Sequence, residues 1–154
     1  MLWNKVLLIF DSSENSLRAV EYVAKMYGKT EGLQVTIFGI YEKVPRHDFK
    51  GTSPVVDKLH SKLATMEIEI ARGQARIKEA QTLLAKAGID SKAISIKYME
   101  RKTSAAKDAA AEARDGGYGT IIVGRGDSKG YILAGGNIAK DLVSQLKDRA
   151  VCVV

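Results

Sequence analysis

Short apolar or β-branched runs alternate with helical periodicity along all 154 residues, and this alternation restricts the fold more than any other feature. Val6-Leu7-Leu8-Ile9-Phe10 opens the series as an uninterrupted apolar run of the kind parallel sheets bury, predicting a strand over 5–10. Ser12 and Ser13 can cap the next helix, whose Leu17, Val20, Val23 and Tyr27 recur at helical spacing before Gly28 and Gly32. Val35, Ile37, Phe38 and Ile40 mark a second strand over 34–41. The stretch 42–54, with both prolines, Gly51 and His47, reads as a flexible loop.

From 55 to 87 the chain predicts one long helix. Leu59, Leu63, Met66, Ile70, Gly73, Ile77, Ala80 and Leu84 follow one another in steps of four and three, which is a heptad seam. Such a helix spans roughly 50 Å, more than a small sheet can cover. Its N-terminal part is therefore expected to fray, project or pack on a partner chain. Gly73 within the seam favours a core-facing helix over a coiled coil. Beyond Gly88, Ile94, Ile96 and Tyr98 alternate with Ser95 and Lys97, predicting a half-exposed strand over 92–99 near a sheet edge. An Ala-rich helix over 103–115, a strand over 120–123, a helix over 138–147 and an apolar strand over 150–154 follow. Repetition of the βα unit implies an α/β fold, a parallel sheet with helices on both faces, in one domain spanning 1–154.

Composition excludes several classes. No apolar run is long enough to cross a bilayer, and the first begins too near Met1 to be a signal peptide. The single Cys152 cannot form an internal disulfide, which suits a reducing cytoplasm, and within an apolar strand it reads as packing. A net charge of +6 could attract nucleic acid, but acidic and basic residues are interleaved and no base-stacking motif is present. Neither membrane nor nucleic acid is expected as a partner. His47 and His60 lie apart from any Cys or second His, so neither suggests a metal site or a catalytic triad.

The chemistry gathers in the last third. Thr120-Ile121-Ile122-Val123 runs into Gly124-Arg125-Gly126-Asp127-Ser128-Lys129-Gly130, and Gly135-Gly136-Asn137 then opens an amphipathic run. Such a loop exposes backbone N–H groups and brings a helix N-terminus beside a strand end, and both favour phosphate. In an open α/β sheet the ligand sits beyond the carboxyl ends of the strands where strand order reverses. Asp11 follows the first strand and Gly124 the fourth, so if those strands are neighbours the two face one crevice, with Ile40 as an apolar wall. Asp11 could equally cap the first helix, and the glycines could serve only tight turns. Arg101 and Lys129 are candidates to neutralise phosphate or are simply solvated. No Gly-Lys-Ser/Thr ends the loop as a Walker motif requires, and Gly130 comes one residue too late for the dinucleotide pattern.

A different loop does match. Nine residues separate Gly126 from Gly136, with Asn137 following, and this resembles the universal stress protein family, in which Gly, nine residues, then Gly-Ser or Gly-Thr recur. Val6 to Asp11 with Ser12-Ser13-Glu14-Asn15-Ser16, Leu84-Ala85-Lys86-Ala87-Gly88-Ile89, the run 120–124 and the close at 150–154 extend the likeness over essentially the whole chain. The resemblance implies a five-stranded, Rossmann-like parallel sheet in the order 3-2-1-4-5. It implies Asp11 and Ile40 at adenine, Val123 and Gly124 along adenosine, and Arg125, Gly126, Gly136, Asn137 and Ile138 at ribose or phosphates. The implied ligand is ATP, ADP or AMP, with Mg2+ able to accompany it. The implied role is a cytoplasmic stress-response sensor or regulator with at most slow ATP hydrolysis, dimerising through strand 150–154. The other reading is a nucleotide-independent homodimer that docks an unidentified protein partner. Only Arg125 separates the first two loop glycines where the family has two residues, and Asn137 and Ala139 stand where hydroxyl residues are usual. Each lost hydroxyl removes a phosphate hydrogen bond worth about 1 kcal/mol, so the triphosphate half of the site is weakened relative to the adenosine half.

Overall fold

The computed structural model describes residues 1–46, 50–125 and 138–154. In chain order these form β1 (Leu2–Ile9), α1 (Glu14–Tyr27), β2 (Gln34–Tyr41), α2 (Pro54–Lys86), β3 (Ile94–Glu100), α3 (Ala105–Asp115), β4 (Tyr118–Val123), α4 (Ile138–Gln145) and β5 (Ala150–Val153). A single 3₁₀ turn over Ser91–Ala93 leads into β3. The strands make one parallel sheet in the order β3-β2-β1-β4-β5. The predicted architecture and strand order are therefore those observed.

Local chemistry explains where the helices begin. Ser13, Ser53 and Ser104 each precede a helix in extended conformation, and their side chains accept from the amides of Ser16, Val56 and Lys107. Each cap satisfies one of the donors that a helix leaves unpaired in its first turn. Pro54, placed in the preceding loop by the sequence, is instead the first residue of α2, where its missing N–H costs nothing.

The strand period of two sorts the core into two layers. Val6, Leu8 and Phe10 pack with Ala19, Val20 and Val23 of α1 and Ile77, Ala80 and Leu84 of α2. Leu7 and Ile9 point the other way, among Ala106, Ala109 and Ala110 of α3 and Leu142 of α4. The alanines of α3 let it lie close against the sheet.

β1 starts three residues before its predicted position. Leu2 and Trp3 are exposed, so no apolar pattern announces them. Their register slips between Leu2 and Val6 against β4, and Gly119 makes the close approach there. A Cβ on Gly119 would lie 2.5 Å from the Leu2 carbonyl oxygen. Nearby, the Tyr118 hydroxyl donates to Thr36 Oγ1 at 2.9 Å, and Thr36 Oγ1 and Ser95 Oγ are 2.8 Å apart. This hydroxyl ladder joins β4, β2 and β3 beneath the start of β1, where Lys5 Nζ donates to the Gly116 carbonyl at 2.7 Å.

The second half of the α2 seam, Gly73, Ile77, Ala80 and Leu84, is buried, whereas Leu59, Leu63, Met66 and Ile70 stay half-buried. The helix overhangs the sheet as its length requires, and a groove of about 490 Å³ lined by Tyr41, Met66, Ile70 and Tyr98 lies under the overhang. Gly73 has a specific partner: a Cβ there would collide with the Tyr98 hydroxyl, which donates to the Ile70 carbonyl at 3.3 Å. Gly39 clears the other side of the same ring. Burial in this socket pushes the Tyr98 phenol above its ordinary pKa, and Tyr41, 5.0 Å away between ring centroids, adds to the effect. Replacing Gly73 by valine should cost about 2 kcal/mol through overpacking against the ring. Urea unfolding checks this, and an unchanged midpoint would show that Tyr98 swings aside freely.

At the β3–α3 junction, the buried Asp108 carboxylate accepts from the Lys102 amide at 2.7 Å and the Thr103 hydroxyl at 2.7 Å, with the Thr103 amide at 3.2 Å. Burial alone would raise its pKa. The bonds from Thr103 and the two amides, with the Lys102 charge, outweigh burial and hold it below the ordinary aspartate value. A group whose folded pKa is depressed contributes stability above its unfolded pKa and loses it as pH falls through the folded one. Asp108→Asn should therefore cost about 2 kcal/mol at neutral pH. The gap from wild type should close as the pH drops below about 4. Urea melts at pH 7 and pH 3 test the sign, and a gap of equal size at both would contradict it.

Candidate functional site

The sheet order makes β1 and β4 neighbours, with β2 following β1 on one side and β5 following β4 on the other. Strand order reverses between β1 and β4, and the crevice beyond their carboxyl ends is the ligand position of open α/β sheets. Ile9 pairs with Val123 in register, so the residues that follow each strand emerge side by side.

On the β1 side, Phe10 donates its amide to the Phe38 carbonyl at 2.9 Å, which prolongs the pairing with β2 up to Asp11. Asp11 is half-buried, and its Oδ1 accepts from the Ser13 amide at 2.9 Å. That turn sets Ser13 in position to cap α1, with Ser13 Oγ accepting from the Ser16 amide at 3.1 Å. One carboxylate oxygen of Asp11 thus serves the turn at the start of α1.

On the β4 side, Gly124 is held against the first turn of α1. A Cβ there would lie 2.5 Å from the Asn15 carbonyl carbon and 2.9 Å from the Ser16 nitrogen. Asn15 Nδ2 donates to the Arg125 carbonyl at 2.6 Å, and the Arg125 amide donates to the Val154 carbonyl at 2.6 Å. The start of the glycine loop is therefore tied to both α1 and the end of β5. The Arg125 side chain is exposed.

Ile40, Val123 and Ile138 share the apolar layer between the sheet and α3 and α4 and are nearly buried. Gly126, Gly136, Asn137 and Lys129 lie outside the described residues, as does His47. Arg101 forms an ion pair with Glu42 at 2.6 Å, so its charge is already answered at the end of β2. Cys152 packs half-buried against the α1 layer, and its hydrogen bond with Tyr22 raises the pKa of that phenol. No three metal-ligating side chains gather among the described residues. No helix among them is long and apolar enough to cross a membrane.

The sequence reading missed Asn15 and Arg76. Asn15 lies in the first turn of α1, where a polar residue attracts no notice. Arg76, on α2, donates from Nη1 to the Ser12 carbonyl at 2.5 Å, from 64 positions away.

These elements define a Rossmann-like parallel α/β protein with its switch point between β1 and β4. More particularly, the fold is that of the universal stress proteins. UspA from Lactobacillus plantarum superposes with a TM-score of 0.71 at 15% identity, over 100% of this chain and 99% of that one. A universal stress protein solved in complex with cAMP superposes with a TM-score of 0.59 at 19% identity, covering 97% of this chain and 95% of that one. The Archaeoglobus fulgidus universal stress protein in complex with dAMP gives 0.54 at 14% identity, covering 99% and 97%. No family model and no curated protein matches the chain.

Proposed function

We propose that this chain is an adenine-nucleotide-binding universal stress protein, a single domain over 1–154 that acts as a cytoplasmic stress-response sensor or regulator. The observation that carries the reading is the pairing of β1 with β4, which ends at Ile9 and Val123 just before Asp11 and Gly124, in a fold whose neighbours include proteins solved with cAMP and with dAMP. Asp11 Oδ2 would accept from the adenine amine, and Ile40 and Val123 would meet the adenosine at their outer edges. Gly124, Arg125, Gly126, Gly136, Asn137 and Ile138 would line ribose and phosphates. AMP, ADP and ATP all suit such a site, with Mg2+ carried on the phosphates. In this reading any ATP hydrolysis would be slow. Among the described residues no strand pairs with the outer edge of β5, and Val153 is exposed there, which supports a homodimer through 150–154.

Nucleotide released from the denatured protein and identified by chromatography, followed by calorimetric titration of apo protein with AMP, ADP and ATP, tests the reading. Binding at micromolar or tighter concentration is expected. Absence of carried-over nucleotide, with no heat at millimolar ligand, would replace it with a nucleotide-independent homodimer that docks a protein partner. The groove beneath the α2 overhang favours that second reading.

A further inference from the structure

We infer that Arg76 is a positioning residue: it clamps the turn that presents Asp11, and so sets nucleotide affinity through the Ser12 backbone. The inference rests on the adenine-nucleotide reading for its affinity arm, while its structural arm stands independently. Three observations meet at one residue. Ser12 is the one non-glycine residue with positive φ among the described residues, at 66°, a left-handed conformation that a side chain rarely adopts. Its two neighbours are both committed, Asp11 through Oδ1 to the Ser13 amide and Ser13 through Oγ to the Ser16 amide. The Ser12 carbonyl, turned outward by that conformation, receives the Arg76 guanidinium at 2.5 Å.

Arg76 is one residue before Ile77, which is 1% exposed in the core between α2 and the sheet. The backbone that carries the exposed Arg76 side chain is thus anchored beside the core. A charged donor on a carbonyl is among the stronger hydrogen bonds a protein makes, and here it offsets a backbone conformation that would otherwise relax. Relaxation of Ser12 would rotate the Asp11–Ser12 peptide and with it the carboxylate. A residue that never touches the ligand would then govern how well its acceptor is aimed.

The test uses Arg76→Ala, Arg76→Lys and the double variant Ser12→Gly/Arg76→Ala in the full-length protein. Hydrogen exchange is followed at the Ser13 amide and AMP affinity by calorimetry. In Arg76→Ala the Ser13 amide should exchange at least tenfold faster while the Leu8 and Ile122 amides are unchanged, and AMP binding should weaken about tenfold. Arg76→Lys should restore most of both, because a lysine still offers a charged donor. Ser12→Gly should recover part of the affinity lost in Arg76→Ala, because glycine holds a positive φ without a clamp. Unchanged exchange at Ser13 would overturn the clamp whether or not nucleotide binds. Faster exchange with unchanged AMP affinity would overturn its role in binding. If wild type binds no AMP, the affinity arm falls with the nucleotide reading, and the exchange result still decides the clamp.

Discussion

Gly124→Val is expected to cost about 3 kcal/mol of stability, the upper end of what overpacking usually exacts. The reason lies in what its side chain would strike. The nearest atoms are the backbone carbonyl of Asn15 and the backbone nitrogen of Ser16, and no rotamer change can move either. Relief requires lifting the first turn of α1 from the end of β4. That movement breaks the Asn15–Arg125 hydrogen bond at 2.6 Å and disturbs the Ser13 cap. Nucleotide binding should disappear along with the stability, because both walls of the crevice shift. Urea unfolding and calorimetric titration with AMP check the two effects. A loss under about 0.5 kcal/mol would mean that α1 yields easily, and that the glycine is there for a ligand alone.

Phe38→Ala should be costlier still, about 3–5 kcal/mol. Phe38 is fully buried at the middle of the sheet, in register with Ile9 and packed in the layer facing α3 and α4. Removing its ring leaves a cavity that flanking strands cannot collapse to fill, since their spacing is set by the backbone ladder. A domain of this size has about 5–15 kcal/mol in all, so one ring is a large share of it. The thermal midpoint should fall by roughly 10 °C. A drop below about 3 °C would show that the layer repacks around the gap.

Much of this was legible in the sequence, for identifiable reasons. Strand β2 was placed to the residue because Val35, Ile37 and Phe38 are bounded by Gly32 and Glu42. Strand order, with β1 beside β4, follows from the resemblance. What escaped was whatever depends on a distant partner. Thr36 looked like a routine strand residue, yet its hydroxyl is joined to Tyr118, 82 positions away. Gly73 marks α2 as core-facing in the sequence, and it is buried, but nothing local identifies the Tyr98 ring as its partner. Arg76 lay on a polar helix face with nothing local to distinguish it from a solvated charge. Gly124 is placed along adenosine by the resemblance, and its close approach to Asn15 and Ser16 of α1 has no local sign in the sequence.

The hydroxyl ladder beneath β1 has a consequence for the ways this molecule can change. Tyr118, Thr36 and Ser95 lash three strands together at the end of the sheet opposite the crevice, and Lys5 latches the β1 strand there too. The starts of β2, β3 and β4 are thereby held in line from the far end, in addition to the ties at the crevice end. The loops around the ligand are free to be lengthened, shortened or exchanged while the frame beneath them keeps its alignment. The same frame can then be fitted to a new ligand, or to none, by revising one end of the chain's sheet and leaving the other as it is.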